Sequence, residues 1–157
     1  MVTIVEAQAH DMEAICRLSN QINEQHHQNL PEIFRKPTSL LQDANYWQTF
    51  MGKQHSIVLV ANIGNAIVGA IAATVQLSDS TPFLVPCLRC RILTIVVDEV
   101  HQRQGIGKAL MSAVENWARA KGAKTIGLEV MAFNRQAFDF YELLGFEILT
   151  HKMQKDI

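Results

Sequence analysis

A β-branched run over residues 92–97 ends in a polar turn, and Gly105-Ile106-Gly107 then opens an amphipathic helix. Strand, glycine turn and helix in direct succession commit the chain to α/β layering. The same succession leaves N–H groups at the helix start with no carbonyl ahead of them. A row of this kind, at the positive end of a helix dipole, suits a phosphate. The helix is expected over 105–120. Its apolar face is Ile106, Leu110, Ala113, Val114, Trp117 and Ala118, and Gly122 is its stop.

The rest of the chain reads as further elements of one domain spanning 1–157. Residues 3–7 form a short strand, and 11–28 a helix with Met12, Ile15, Leu18, Ser19 and Ile22 on one face. Residues 26–37 hold two prolines and no period, which predicts a loop. A second helix is expected over 39–51, stopped at Gly52. Two β-rich runs, 56–62 and 66–77, are joined by the hairpin signal Ile63-Gly64-Asn65. A polar, proline-bearing surface loop over 78–86 leads into a strand over 88–97. Beyond the glycine helix come a strand over 125–130, a helix over 134–144 and a closing strand over 146–155. The fold class is α/β (α+β), mostly antiparallel in its first half and β-α-β-α-β in its second.

The 157 residues are 48% hydrophobic and 18% charged, enough for a full core without disulfide or metal staples. A net charge of -1 gives no general attraction to nucleic acid or to an anionic membrane. No apolar run approaches membrane-spanning length, and Met1-Val2-Thr3-Ile4-Val5-Glu6 lacks a signal layout, so the cytoplasm is expected. Three cysteines, Cys16, Cys87 and Cys90, are sparse and odd in number, which fits a reducing compartment. Cys87-Leu88-Arg89-Cys90 has CxxC spacing. It has no second ligand pair, and it enters a strand where the redox motif would open a helix, so no metal is expected.

Spacing tests which phosphate the glycine turn suits. A Walker A loop needs GxxxxGK[ST], but Ala109 follows Lys108 and Gln102 stands where the first glycine belongs. A dinucleotide fingerprint needs GxGxxG, but Leu110 occupies its last position. Gln102-x-x-Gly105-x-Gly107 resembles instead the [RQ]xxGx[GA] pyrophosphate loop of the GCN5-related N-acetyltransferases. Downstream, Asn134-Arg135-Gln136-Ala137-Phe138-Asp139-Phe140-Tyr141-Glu142-Leu143-Leu144-Gly145-Phe146 is similar to that family's NxxAxxxYexxGF segment. One helix and one strand separate the motifs, as in the family.

The resemblance implies a central mixed, mostly antiparallel sheet, splayed between its fourth and fifth strands, with four helices. It implies acetyl-CoA as cosubstrate and a primary amine as acceptor (a small molecule, polyamine, antibiotic or protein amine), reacting directly in a ternary complex. It also carries a homodimer as an expectation. Cofactor contacts would come from Ile95, Val96 and Val97 along the pantetheine arm. Gln102, Arg103, Gln104, Gly105, Ile106, Gly107 and Lys108 would surround the pyrophosphate, with Asn134, Ala137 and Tyr141 on the last helix. Arg103 and Lys108 are equally readable as solvated surface cations, and Asn134 as a helix N-cap.

Tyr141 corresponds to the family's general acid for the departing thiolate. With phenol near 10 and thiol near 8.5, that transfer is uphill by roughly 2 kcal/mol. An amine near 10.4 must also lose a proton, at about 4.6 kcal/mol at pH 7. The strand over 89–97 holds no glutamate to take it. Glu129, twelve residues before Tyr141, matches the glutamate base of the family's ribosomal-protein N-terminal acetyltransferases. Pairing across the sheet surface is its other reading, and a water chain to a carbonyl or a histidine is a third route for the proton. The acceptor end would be covered by residues 26–37, with His26, His27, Glu32, Phe34 and Arg35. A non-catalytic acyl-CoA-binding sensor or partner subunit is the alternative function; Tyr141 and Asn134 argue for catalysis, since a pure binder needs no acid beside the sulfur.

Overall fold

The computed structural model describes residues 1–78 and 81–157. Five strands form one sheet in sequence order: β1 (Val2–Glu6), β2 (Ser56–Ile63), β3 (Ala66–Leu77), β4 (Leu88–Val97) and β5 (Thr125–Gly127). The first four pair antiparallel, and β5 joins β4 in parallel. The β2–β3 turn is the predicted hairpin, with Gly64 at φ +58 supplying the backbone conformation that a two-residue connection needs. The loop expected over 78–86 includes residues 79–80, which lie outside the described residues.

Four α-helices cover the sheet: α1 (Met12–Asn29), α2 (Ala44–Thr49), α3 (Ile106–Ala120) and α4 (Arg135–Leu143). On one face, Ile15 and Leu18 of α1 and Trp47 of α2 pack on Val58, Val60, Ala70, Ala72 and Val96. On the other, Ile106, Leu110, Met111, Val114 and Ala118 of α3, with Tyr141 of α4, pack on Ile71, Ala73, Cys90 and Ile92. Each fully buried aliphatic side chain contributes about 1.5–3 kcal/mol through removal from water. The two layers therefore clamp β4 from both faces.

β4 and β5 stay paired only at Arg89↔Thr125, Cys90↔Ile126 and Arg91↔Gly127. Just beyond, the β3–β4 register slips: Ile92 faces Ala73 and Thr94 faces Ala72, so Leu93 has no opposite number. A bulge of this kind bends its strand. It sits where β4 leaves β5, and the sheet opens there as expected between the fourth and fifth strands.

Four boundaries differ from the sequence reading. The first helix runs to Asn29, so residues 26–28, which fell both in the helix expected over 11–28 and in the loop expected over 26–37, are helical, with His26 and His27 on the last turn. Asn29 Nδ2 donates to the Gln25 carbonyl at 2.8 Å, and the helix stops one residue short of Pro31. α2 is shorter than 39–51 because the carboxylate of Asp43, which precedes it, is drawn to α1, accepting from Ser19 Oγ at 2.6 Å and from Asn23 Nδ2. β5 ends at Gly127 because residues 128–130 have left β4 and have no ladder to join. The closing strand over 146–155 does not form. Past Phe146 no main-chain hydrogen bond ties residues 147–157 to the described structure, and Ile148, Leu149 and Met153 are exposed. A strand exists only as part of a ladder.

Candidate active site

The glycine turn is built as a row of unpaired donors. Gln102 N–H reaches Glu99 O at 3.5 Å, and Ala109 N–H donates to Gly105 O at 3.0 Å. Among the described residues, no N–H from Arg103 through Lys108 donates to a protein acceptor. Arg103 at φ 62 and Gly105 at φ 81 are both left-handed, which turns successive N–H groups to one side. For Arg103 this conformation costs about 1 kcal/mol that glycine would not incur. Ile106 is fully buried beneath the row as its anchor, while Arg103 and Lys108 are exposed and in no ion pair among the described residues.

Gln102 and Gln104 tie the turn down. Gln102 Nε2 donates to the Val97 carbonyl at 3.2 Å, and Gln104 Nε2 to the Val100 carbonyl at 3.4 Å. Gln102 Oε1 also accepts from Gln136 Nε2 of α4 at 3.2 Å. The turn that carries the free N–H row, the end of β4 and the start of α4 are thus linked through one side chain.

Asp98 N–H donates to Val68 O of β3 at 2.9 Å. By the alternation of an antiparallel ladder, Val97 and Ile95 turn their N–H and C=O groups the other way, toward the gap left by β5. Val96 turns its backbone into the β3 ladder and its side chain into the core beneath α1. Of the three strand residues expected on the cofactor, Ile95 and Val97 offer main-chain partners there.

Asn134 is the N-cap of α4: its Oδ1 accepts from Ala137 N–H at 3.1 Å. The cap leaves the Nδ2 hydrogens out of that bond. Ala137 is half-buried against the α3 core. Tyr141 lies one turn further on, its ring beside Phe140 and Phe146 at centroid distances of 5.2 and 5.6 Å. Burial among these rings pushes its phenol up to about 12. Glu129 takes the cross-sheet pairing, with Oε1 3.5 Å from Arg91 Nη2 and both side chains more than 60% exposed.

Sequence reasoning missed the support for the β4 terminus. Arg17 Nη1 and Gln21 Nε2 of α1 each donate to Asp98 at 3.3 Å, and Gln21 Oε1 accepts from Glu99 N–H at 3.2 Å. Burial would raise the Asp98 carboxyl, but the bonds from Gln21, Arg17 and the Val100 backbone, with the Arg17 charge, hold it below the usual range. The signal was an Arg-x-x-x-Gln pair on one α1 face, unreadable without knowing what it met. Two aromatics were missed as well. Tyr46 of α2 lies over β4, with its hydroxyl 3.1 Å from Thr94 Oγ1. Phe133 meets the His26 ring edge-on at 5.5 Å. Cys87 and Cys90 form no bridge; the Cys90 thiol is buried and pushed up to about 11. No group of three or more His, Cys, Asp or Glu among the described residues is arranged to hold a metal ion, and no helix there is long and apolar enough to cross a membrane.

An open α/β sheet with a row of free N–H groups at the tip of its parting strand is the site's defining feature. The chain belongs to the acetyltransferase (GNAT) family, whose sequence model matches residues 19–146. The ribosomal protein bS18-alanine N-acetyltransferase of Escherichia coli (strain K12) is 41% identical over 59 residues, 38% of this chain and 40% of that enzyme. The chain thus aligns with well under half the length of that relative. The uncharacterized N-acetyltransferase YhfO of Bacillus subtilis (strain 168) is 28% identical over 147 residues, 93% of this chain and 90% of that one. Among solved structures, a mutant of the BH1408 protein from Bacillus halodurans superposes with a TM-score of 0.92 at 26% identity, covering 99% of each chain.

Proposed function

We propose that this protein is an N-acetyltransferase that moves an acetyl group from acetyl-CoA to a primary amine by direct attack in a ternary complex. The observation that carries the reading is the free N–H row from Arg103 to Lys108, set where β4 parts from β5. The residues fit the cosubstrate. The row suits a pyrophosphate, with Arg103 and Lys108 unpaired beside it. The outward amides of Ile95 and Val97 suit an extended pantetheine, and Asn134 Nδ2 is free to join them.

Acetyl-CoA supplies an activated acyl carbon and a thiolate leaving group; the chain supplies orientation and proton handling. The Val97 N–H faces the gap as a donor to a thioester oxygen on which charge develops. Tyr141 gives a proton to the departing sulfur. From a phenol near 12 to a thiol near 8.5, that transfer is uphill by about 5 kcal/mol. Tyr141 therefore assists late, once the sulfur carries most of the charge. Glu129, two residues past the end of β5, is exposed and in contact with Arg91, so an incoming ammonium competes there with water and a guanidinium. The free thiols accord with the cytoplasm, and a homodimer remains part of the proposal.

The test is a thermal-shift and thiol-release pair. Acetyl-CoA should raise the Tm where ATP and NAD do not. Thiol should then appear with one of spermidine, kanamycin, an alanine-initiated peptide such as the bS18 relative's name suggests, or an internal-lysine peptide. A shift with ATP or NAD alone refutes the reading. A shift with acetyl-CoA and no turnover of any amine favours the acyl-CoA-binding sensor.

A further inference from the structure

Two stretches of this chain lack main-chain partners, and each has what the other needs. The first is the arm after Phe146. Every residue from 147 to 157 is exposed, and the arm runs without a turn or bend. None of its main-chain groups is bonded among the described residues. In an extended chain alternate side chains share a side, which puts Leu149, Met153 and Ile157 together. These three are 86%, 91% and 120% exposed, so the apolar side of the arm is uncovered in the single chain.

The second is the outer edge of the sheet. β5 is a terminal strand, paired on one side only. Residues 128–130 continue it with no main-chain bond of their own among the described residues. Along this stretch Ile126, Leu128 and Val130 alternate with exposed neighbours and reach the α3 layer only half-buried. An open edge of this kind is a template for an added strand. The arm does not return to it. Gly145, left-handed at φ +87, closes α4 with its N–H donating to Glu142 O at 3.0 Å, and Phe146 N–H donates to Tyr141 O at 3.0 Å. These bonds fix the base of the arm, and beyond them every side chain faces solvent.

We propose that two copies of this chain exchange arms, residues 147–157 of each pairing along the outer edge of β5 and its continuation to Val130 in the other. The exchange rests on the homodimer of the proposed function and gives it an interface. A second copy is the occupant because the strand without a ladder and the edge without a strand belong to one sequence. A twofold exchange satisfies both at once and leaves neither open, so assembly closes at two. The arm turns Leu149 and Met153 toward the α3 layer, over Ile126, Leu128 and Val130. β5 suits the arm better than β1, the other edge strand, since β1 is paired along its whole length while 128–130 are open on both sides. Arm and edge bring 17 residues of each copy into contact, close to the roughly 20 a side of a standard stable interface.

The test follows the full chain by sedimentation equilibrium and by amide hydrogen exchange, above and below its dimer midpoint. Wild type should be a dimer at micromolar concentration. Its amides at 128–130 and along 147–154 should exchange about tenfold or more slower in the dimer than after dilution to the monomer. The double variant Leu149→Asp, Met153→Asp should weaken the dimer about a hundredfold or more. Both sites are exposed in the single chain, so the Tm of the monomer should not change. Arm protection that survives dilution means that the arm returns to its own β5, and overturns the proposal. Protection at residues 2–6 in place of 128–130, or a dimer that persists in the double variant, overturns the exchange while a homodimer through another face stands. A wild type that stays monomeric overturns the exchange and the homodimer together. Thiol release with the amine panel decides acetyl transfer separately in every case.

Discussion

Phe140 Cζ lies 3.1 Å from where a Cβ on Gly107 would stand. The second glycine of the turn therefore meets α4 and not open space, and it lets α4 seat against the first turn of α3. Gly105 is the opposite case: nothing lies within 4 Å of its virtual Cβ, but its φ of +81 is left-handed. One position is limited by packing and the other by backbone conformation.

Substitutions should separate the two requirements. In Gly107→Ala, a gain of about 1 kcal/mol in helix propensity offsets a contact that the Phe140 ring can relieve by moving a few tenths of an ångström. Its unfolding free energy should stay within about 1 kcal/mol of wild type. Gly107→Val overfills the same space and should lose about 2–3 kcal/mol, because α4 must move. Gly105→Ala should lose about 1–2 kcal/mol with no steric cause. Urea melts of the three variants check this order; a Gly107→Val as stable as Gly107→Ala would show that α4 does not press on the turn.

Asp98 should make stability pH-dependent in acid. Its folded pKa is held below the unfolded one, so its contribution is complete above the unfolded value near 4 and fades as pH falls through the folded value. Arg17 is half-exposed, so the ion pair contributes only about 1 kcal/mol, with the Gln21 bond adding a comparable amount. Asp98→Asn should cost about 1–2 kcal/mol at pH 7 and much less at pH 3. An equal loss at both pH values would assign the effect to shape and not to charge.

Tyr141→Phe should keep the fold and lose rate. The ring stays packed between Phe140 and Phe146, so stability at pH 7 should change by less than about 0.5 kcal/mol. Turnover should fall about tenfold to a hundredfold with the Kd for acetyl-CoA unchanged, since a phenol near 12 is a weak acid that assists only late. The raised pKa also has a stability sign. The neutral phenol is favoured in the folded state, so its contribution is present below pH 10 and lost as pH rises toward 12. The variant should unfold less readily than wild type across that alkaline window.

The sequence carried most of the fold because its signals are local. Glycines at 105 and 107, helical spacing along 106–118 and the Gly64 turn each act within a few residues, and β4 and α3 start and stop within a residue of their expected places. The free N–H row follows from the same local geometry. Where partners were needed, the reading ran on too far: α2 was cut back by a bond from Asp43 to α1, and the strand over 146–155 found no ladder.

Tertiary structure decided the environment of the ionisable groups. The Leu93 bulge opens the sheet only because α1 and α3 clamp β4 on opposite faces. Tyr141 is a poor acid because rings from its own helix and from the turn after it shut out water. Arg91 of β4 engages Glu129 in the segment after β5, and Phe133 reaches His26 over more than a hundred residues of chain. Burial and pairing of ionisable groups depend on what folding brings near them, which the order of residues along the chain does not state.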